Sequence, residues 1–231
     1  MQIKVNLQIF LFIIVFILTH QIEIYGWIML FAFIHELGHI CTGLILKLKP
    51  KTLELMPFGV SITFETYEYK KLIETKKILI ALAGPLTNLF IVLLTYFLHI
   101  NDNLKQMIIY SNILIAIFNM IPLYPLDGGR ILKGIIRLKK TEIKSDEITN
   151  KISNILIILI TAVSSIIVIY IKNFAIIFIL IYLWIMVIKQ NKRLNIKKKA
   201  YNMIQKNDKC IDIWVFKCQN KGNKNTGENQ W

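Results

Sequence analysis

Apolar positions along this chain gather into long runs, and the polar positions into short basic connectors between them. Six runs approach the length of a membrane span: residues 5–24, 25–46, 78–100, 107–126, 155–171 and 174–188. A run of about 20 apolar residues is what a helix needs to cross a hydrocarbon core of about 30 Å. The last two runs are separated only by Lys172-Asn173. One helix over both would be about 51 Å long at 1.5 Å per residue, so two helices and a tight turn are expected. The pattern predicts an all-α polytopic membrane protein with six transmembrane helices.

Basic residues alternate between the connectors. Lys4 precedes the first run and none separates it from the second, whereas Lys47, Lys49, Lys51, Lys70, Lys71, Lys76 and Lys77 lie between the second and third. The third connector holds only Lys105, and the fourth holds Arg130, Lys133, Arg137, Lys139, Lys140, Lys144 and Lys151. The fifth has Lys172 alone, and eleven basic residues follow from Lys189 onward. Positive charge collects on cytoplasmic loops, so this alternation predicts a multi-pass cell-membrane protein with both termini in the cytoplasm. Contact with anionic lipid is a secondary expectation.

Between the second and third runs, residues 53–64 are apolar but interrupted by Pro57 and Gly59. Alternation at Val60, Ile62 and Phe64 points to a short membrane-associated β-hairpin, against the plainer reading of an interfacial loop. Two divisions are expected: residues 1–190 as a transmembrane domain, and 191–231 as a short basic cytoplasmic tail. In that tail, residues 211–216 read as a strand or an interfacial anchor, and the last ten residues as disordered.

Composition narrows the class. The 231 residues are 55% hydrophobic yet carry a formal net charge of +14, too apolar for a soluble domain or a nucleic-acid binder. No small-residue cleavage site follows the first run, so it is expected to be retained rather than removed as a signal peptide. Cys41, Cys210 and Cys218 do not form a disulfide framework, and a zinc site from the latter two lacks partners.

The second run contains His35-Glu36-Leu37-Gly38-His39. Ionisable groups at membrane depth are costly and are retained chiefly for function. Residues four apart on a helix differ by about 40° in direction, so both imidazoles share a face. Such a pair can hold zinc while Glu36 acts as general base on a water.

A catalytic zinc needs a third protein ligand. His20, Glu23 and His99 sit at outer ends of runs and are expected at the interface. The stretch from Asn119 through Pro122, Tyr124, Pro125 and Asp127 to Gly128-Gly129-Arg130 breaks the fourth run. Irregular backbone at membrane depth is tolerated where it is buried in protein or lines a wet cavity. Asp127 then either turns inward as a carboxylate ligand or belongs to a turn where the span simply ends. Charge favours the first: Zn²⁺, one carboxylate and one hydroxide sum to zero in a low-dielectric site. Gly84-Pro85-Leu86-Thr87-Asn88 in the third run, with Gly38, Thr42 and Gly43, reads as helix packing, and Asn88 and Asn112 as interhelical hydrogen-bonding residues.

Three pieces in order, His35–His39, Gly84–Asn88, and Asn119-x-x-Pro122 followed by Pro125–Arg130, make the chain resemble the site-2 protease family of intramembrane zinc metalloproteases. The resemblance covers a core of about residues 25–135. It implies that His35, His39 and Asp127 ligate zinc, that Glu36 is the catalytic base, and that a hairpin follows the second span. Asn119 is expected, more weakly, to contact substrate or the developing oxyanion. Within the family the chain is most similar to the branch containing stage IV sporulation protein FB. That likeness implies a membrane-associated sigma-factor precursor as substrate, inhibitory membrane-protein partners, and no nucleic acid. The tail is too short for a CBS pair and the outer connectors too short for a PDZ module. Two rivals stand beside this reading. One is a general site-2 protease acting on anti-sigma factors or signal-peptide remnants. The other is a non-enzymatic metal transporter or scaffold, for which broken helices are a signature but which gives Glu36 no task.

Overall fold

The computed structural model describes residues 2–5, 7–56, 59–171 and 175–224, and it divides into two compact units, Met1–Gln190 and Asn191–Trp231. The chain opens with strand β1 (Gln2–Val5) and helix α1 (Gln8–Leu18). Helix α2 (Ile22–Ile45) follows. The expected first span over 5–24 is therefore not one long helix: α1 has 11 residues, about 16 Å of rise against a core of about 30 Å. The reasons lie at its ends. Val5 is drawn into a sheet, and His20 adopts left-handed backbone with φ 55°. There Gln21 N–H donates to the Phe16 carbonyl and His20 N–H to that of Ile17, the paired bonds that close a helix end. The same motif ends α2, where Lys47 has φ 62° and Leu48 N–H reaches the Gly43 carbonyl at 2.9 Å.

Strands β2 (Pro50–Met56) and β3 (Gly59–Phe64) pair antiparallel, with Leu55 opposite Val60 and Glu54 opposite Ser61. The alternation of residues 60–64 thus does mark a hairpin; its turn at Pro57 lies outside the described residues. β1 joins β2 in parallel register, giving the order β1-β2-β3. β3 therefore forms one edge of the sheet, with no described strand on its outer side.

After the short helix α3 (Thr66–Lys71) come α4 (Glu74–Phe97) and α5 (Asp102–Met120). Asn101 caps α5, its side chain accepting from Asn103 N–H at 3.0 Å. α5 ends where proline begins. Ile121, preceding Pro122, takes ψ 128°, the extended backbone that proline imposes on its predecessor. The loop 121–126 contains a cis Tyr124-Pro125 peptide and leads into α6 (Asp127–Arg137).

α7 (Glu142–Ile171) starts well before the expected boundary at residue 155. Its first half is polar in sequence but buried in the fold: Ser145, Thr149 and Ser153 recur every four residues and are at most 2% exposed. Ser145 Oγ donates to the Lys133 carbonyl, and Ser153 Oγ accepts from Tyr124 N–H at 3.0 Å. A reading based on apolar runs passes over a helix whose buried stripe is made of hydroxyls. α8 (Ala175–Lys224) is continuous through residues 211–216, which replaces the strand expected there, and it enters the last ten residues. The break at Lys172-Asn173 lies outside the described residues.

Among the described residues, three helices are long and apolar enough to cross a membrane: Ile22–Ile45, Glu74–Phe97 and the span Glu142–Tyr170 within α7. The architecture is mostly helical with a small sheet. α4 is its centre, packed on α2, α5 and α6. One apolar cluster joins Phe31, Ala32 and Ile115 between α2 and α5, and another joins Leu123 of the loop to Ile157, Leu183 and Val187.

The hydroxyl stripe of α7 therefore holds the loop ahead of Asp127. Replacing Ser153 by Ala removes the acceptor for Tyr124 N–H and is expected to cost about 1–3 kcal/mol, read as a lower unfolding midpoint in detergent.

Candidate metal centre

α2 places His35 and His39 one turn apart with their rings on the face toward α4 and α6, at 2% and 3% exposure. Asp127, the first residue of α6, is 4% exposed and comes from a separate helix. Its Oδ2 lies 3.0 Å from His35 Nε2 and 3.1 Å from His39 Nε2, and the two Nε2 atoms are 3.2 Å apart. Three donors at mutual separations of 3.0–3.2 Å surround one point. Tetrahedral ligands about 2.05 Å from a zinc ion would stand about 3.3 Å apart, so the set fits a small divalent cation. The three form a group able to hold a metal ion.

The backbone is shaped to permit this meeting. A Cβ at Gly84 of α4 would lie 2.3 Å from His39 Nε2 and 2.5 Å from His35 Nε2. Any larger residue there would therefore fill the metal position. At Gly128 a Cβ would lie 2.2 Å from the Met120 carbonyl oxygen, and backbone does not yield as a side chain can. Glycine after Asp127 lets the first turn of α6 press against the end of α5.

The outer nitrogens are also engaged. His39 Nδ1 donates to the Ile80 carbonyl at 2.6 Å, and His35 Nδ1 faces Asn88 Oδ1 at 2.5 Å. Asp127 Oδ1 faces Arg130 Nη1 at 3.6 Å, leaving Oδ2 to the imidazoles. A cavity of about 280 Å³ reaches the site from the side of Glu36 and His39. Thr63 and Phe64 of β3, Tyr69, Tyr124 and Arg130 form part of its wall. Burial pushes the Tyr69 phenol above its ordinary range, with Arg130 opposing, so it stands in that wall uncharged.

Among the residues singled out by sequence, His35, His39 and Asp127 converge and Glu36 lines the adjoining cavity. Asn119 is in the last turn of α5, where its Nδ2 donates to the Ile115 carbonyl, and it is not among the cavity-lining residues. His20, Glu23 and His99 are exposed and outside the cluster. Asn88 and Asn112, expected to hydrogen-bond between helices, do so with each other, and Asn88 also faces His35, a partner the sequence did not name. The available signal was the position of Asn88 four residues after Gly84, on one helix face.

The family model described as Peptidase family M50 matches residues 99–163, which include Asp127 but not the histidine pair. Stage IV sporulation protein FB of Bacillus subtilis (strain 168) is 29% identical over 135 residues, covering 56% of this chain and 46% of that protein. A zinc metalloprotease of Methanocaldococcus jannaschii is 29% identical over 164 residues, covering 65% of this chain and 47% of that protein. The chain thus spans about half the length of the curated relatives it matches. Among solved structures, the site-2 protease from Methanocaldococcus jannaschii shares the fold with a TM-score of 0.63 at 23% identity. That match covers 81% of this chain and 89% of the other.

The close approach at Gly84 gives a direct check. Gly84→Val places methyl groups at the converging nitrogens and is expected to abolish divalent-metal retention, read as metal per chain by elemental analysis of the purified protein.

Proposed function

We propose that this chain, which resembles the site-2 proteases of Peptidase family M50 in sequence and fold, is an intramembrane zinc metalloprotease hydrolysing a peptide bond in or beside the bilayer. One observation carries the reading: two imidazoles from α2 and a carboxylate from α6 meet within 3.2 Å, beside a cavity that contains Glu36. In this reading His35 and His39 hold zinc through Nε2 and Asp127 through Oδ2. Bound there, zinc would supply Lewis acidity, acidifying a water and polarising the scissile carbonyl. Glu36 takes the proton of the attacking water and returns it to the leaving amine. Arg130 holds Asp127 Oδ1 so that Oδ2 keeps its direction. Residues of α4 and α6 flank the cavity beside these groups. Asn119 in the role of oxyanion donor would need its amide to leave the Ile115 carbonyl.

A substrate helix hides its carbonyls in its own hydrogen bonds, so it must unwind before attack. The free edge of β3 lies at the cavity wall through Thr63 and Phe64 and is suited to hold the unwound segment by strand addition. Pro substitutions at residues 61–63 that leave cleavage of an intact membrane substrate unchanged would remove this role from the hairpin.

We read the chain as a multi-pass membrane protein with both termini in the cytoplasm and residues 191–231 as a cytoplasmic tail, supported by the alternation of basic connectors. The six-pass count has its weakest member in α1, which at 11 residues is short for a pass of its own. The likeness to a stage IV sporulation protein supports a membrane-associated sigma-factor precursor as substrate, with inhibitory membrane-protein partners.

Co-expression with candidate precursors tests the whole reading. Glu36→Gln is expected to retain zinc while cleavage falls by about 10²–10⁴-fold, the usual contribution of a general base. Asp127→Asn should lower both zinc content and cleavage. Unchanged zinc stoichiometry in that variant would remove Asp127 from the ligand set, and undiminished cleavage by Glu36→Gln would overturn the protease reading.

A further inference from the structure

Two imidazoles can meet a metal through Nε2 only if each carries its proton on Nδ1. For His39 the fold enforces this directly, because the Ile80 carbonyl facing its Nδ1 is an acceptor and nothing else. For His35 the partner is an amide side chain, which can present either an oxygen or an NH₂ group. Something must choose.

The choice is made three groups away. Asn112 Nδ2 donates to the Ile108 carbonyl at 2.8 Å, an obligate acceptor on the same helix, α5. That commits Asn112 Oδ1 to face α4, where Asn88 Nδ2 donates to it at 2.9 Å. Asn88 is thereby committed to present Oδ1 to His35 Nδ1, at 2.5 Å. Reversing either amide would set an NH₂ against a donor or an oxygen against an oxygen. Both asparagines are 0% exposed, so water does not relieve a mismatch. Buried amide pairs of this kind are retained where every member is satisfied.

We propose that Asn88 and Asn112 are positioning residues for the metal centre: a directional relay, anchored on the Ile108 carbonyl, that fixes the tautomer and ring orientation of His35. The proposal deepens the protease reading and rests on it for the metal's identity. It also explains the spacing Gly84-Pro85-Leu86-Thr87-Asn88, which sequence alone assigned to packing. Ile80, Gly84 and Asn88 lie four residues apart on one face of α4. The first receives His39, the last receives His35, and the glycine between them leaves room for the ion. One stripe of one helix thus sets both ligands from behind.

The test separates a relay from mere packing. In the metal-free protein Asp127 Oδ2, 3.0 Å from His35 Nε2, is a competing acceptor, so ¹⁵N-histidine spectra of the full-length protein in detergent are recorded in an Asp127→Ala background, at a pH where imidazole is neutral, to read the tautomer of His35. Zinc affinity is read separately, with Asp127 in place, by competition with a chromophoric chelator. With both asparagines intact the His35 proton is expected on Nδ1. Asn88→Leu keeps the volume and removes the acceptor; the tautomer should become mixed and zinc affinity fall by about 10–100-fold, the usual cost of losing such a partner. Asn88→Asp, held as the neutral acid in this buried setting, keeps an acceptor toward His35 and an O–H donor toward Asn112 Oδ1; it should hold the proton on Nδ1, with affinity within a few-fold of wild type. Asn112→Leu should shift the tautomer in the same sense as Asn88→Leu but less. With Asp127 removed and both asparagines intact, a His35 proton on Nε2 would overturn the relay, as would no change in tautomer and affinity in Asn88→Leu. Equal loss in Asn88→Leu and Asn88→Asp would also overturn it. Because the tautomer is measured without metal, it judges the relay even for a protein that takes up no zinc, a result that counts against the protease reading instead.

Discussion

Burying two imidazoles and a carboxylate together is unfavourable unless each polar atom is given a partner, and the fold around α4 follows from meeting that demand. The inward atoms of His35, His39 and Asp127 converge within 3.2 Å as three lone-pair donors, which a bound cation would satisfy together. The outward atoms have α4 and α6: the Ile80 carbonyl, the Asn88 amide and the Arg130 guanidinium. No side chain of the three is positioned by its own helix alone. The packing of α2 on α4 and of α4 on α6 is therefore as much a part of the site as its ligands, and a helix shift of an ångström would break donors on both sides of the rings.

Bringing Asp127 into register places a different constraint on the chain. α5 stops at Met120, the prolines of the loop remove donors that would continue it, and the glycines at 128 and 129 allow the next helix to begin in contact with the last turn of α5. The loop would be left with unmatched backbone if nothing covered it. Leu123, fully buried among Ile157, Leu183 and Val187, ties it to α7 and α8 through apolar contact, and Ser153 meets Tyr124 N–H. The irregular backbone at the site is thus anchored to protein through Leu123 and Tyr124.

How much of this could be read from the sequence depends on the range of the interaction. The four-residue spacing of His35 and His39 is local, and so is the alternation through Val60, Ile62 and Phe64; the helical face and the hairpin both follow from it. The interruption between Asn119 and Arg130 is also local, and it located the second half of the site without deciding where Asp127 pointed. The parallel pairing of Gln2–Val5 with Thr52–Leu55 depends on residues some fifty positions apart and leaves no periodic trace, so the start of the chain looked like one long helix. The first half of α7 was missed for another reason. Its buried stripe is polar, with Ser145 and Ser153 bonded to backbone groups, and hydropathy does not distinguish that from a solvated connector. Asn88 was visible as a polar residue in an apolar helix, but its link to His35 is set by helix packing alone.

α4 also carries the opening of the cavity. Glu74 in its first turn meets Lys77 at 2.8 Å and Arg137 of α6 at 3.4 Å, and Arg137 reaches Glu142 of α7 at 2.7 Å. Lys133 of α6 pairs with Asp146 of α7 at 2.8 Å. Glu74, Lys77, Lys133 and Arg137 line the cavity and are mostly shielded, their side chains 12–22% exposed. Their effect is geometric: they join the ends of α4, α6 and α7 on the side from which the cavity reaches Glu36. The helix that orients both imidazoles is thereby joined to the helix that supplies the carboxylate in two ways, indirectly through the α2 imidazoles at the metal centre and directly by the Glu74–Arg137 ion pair.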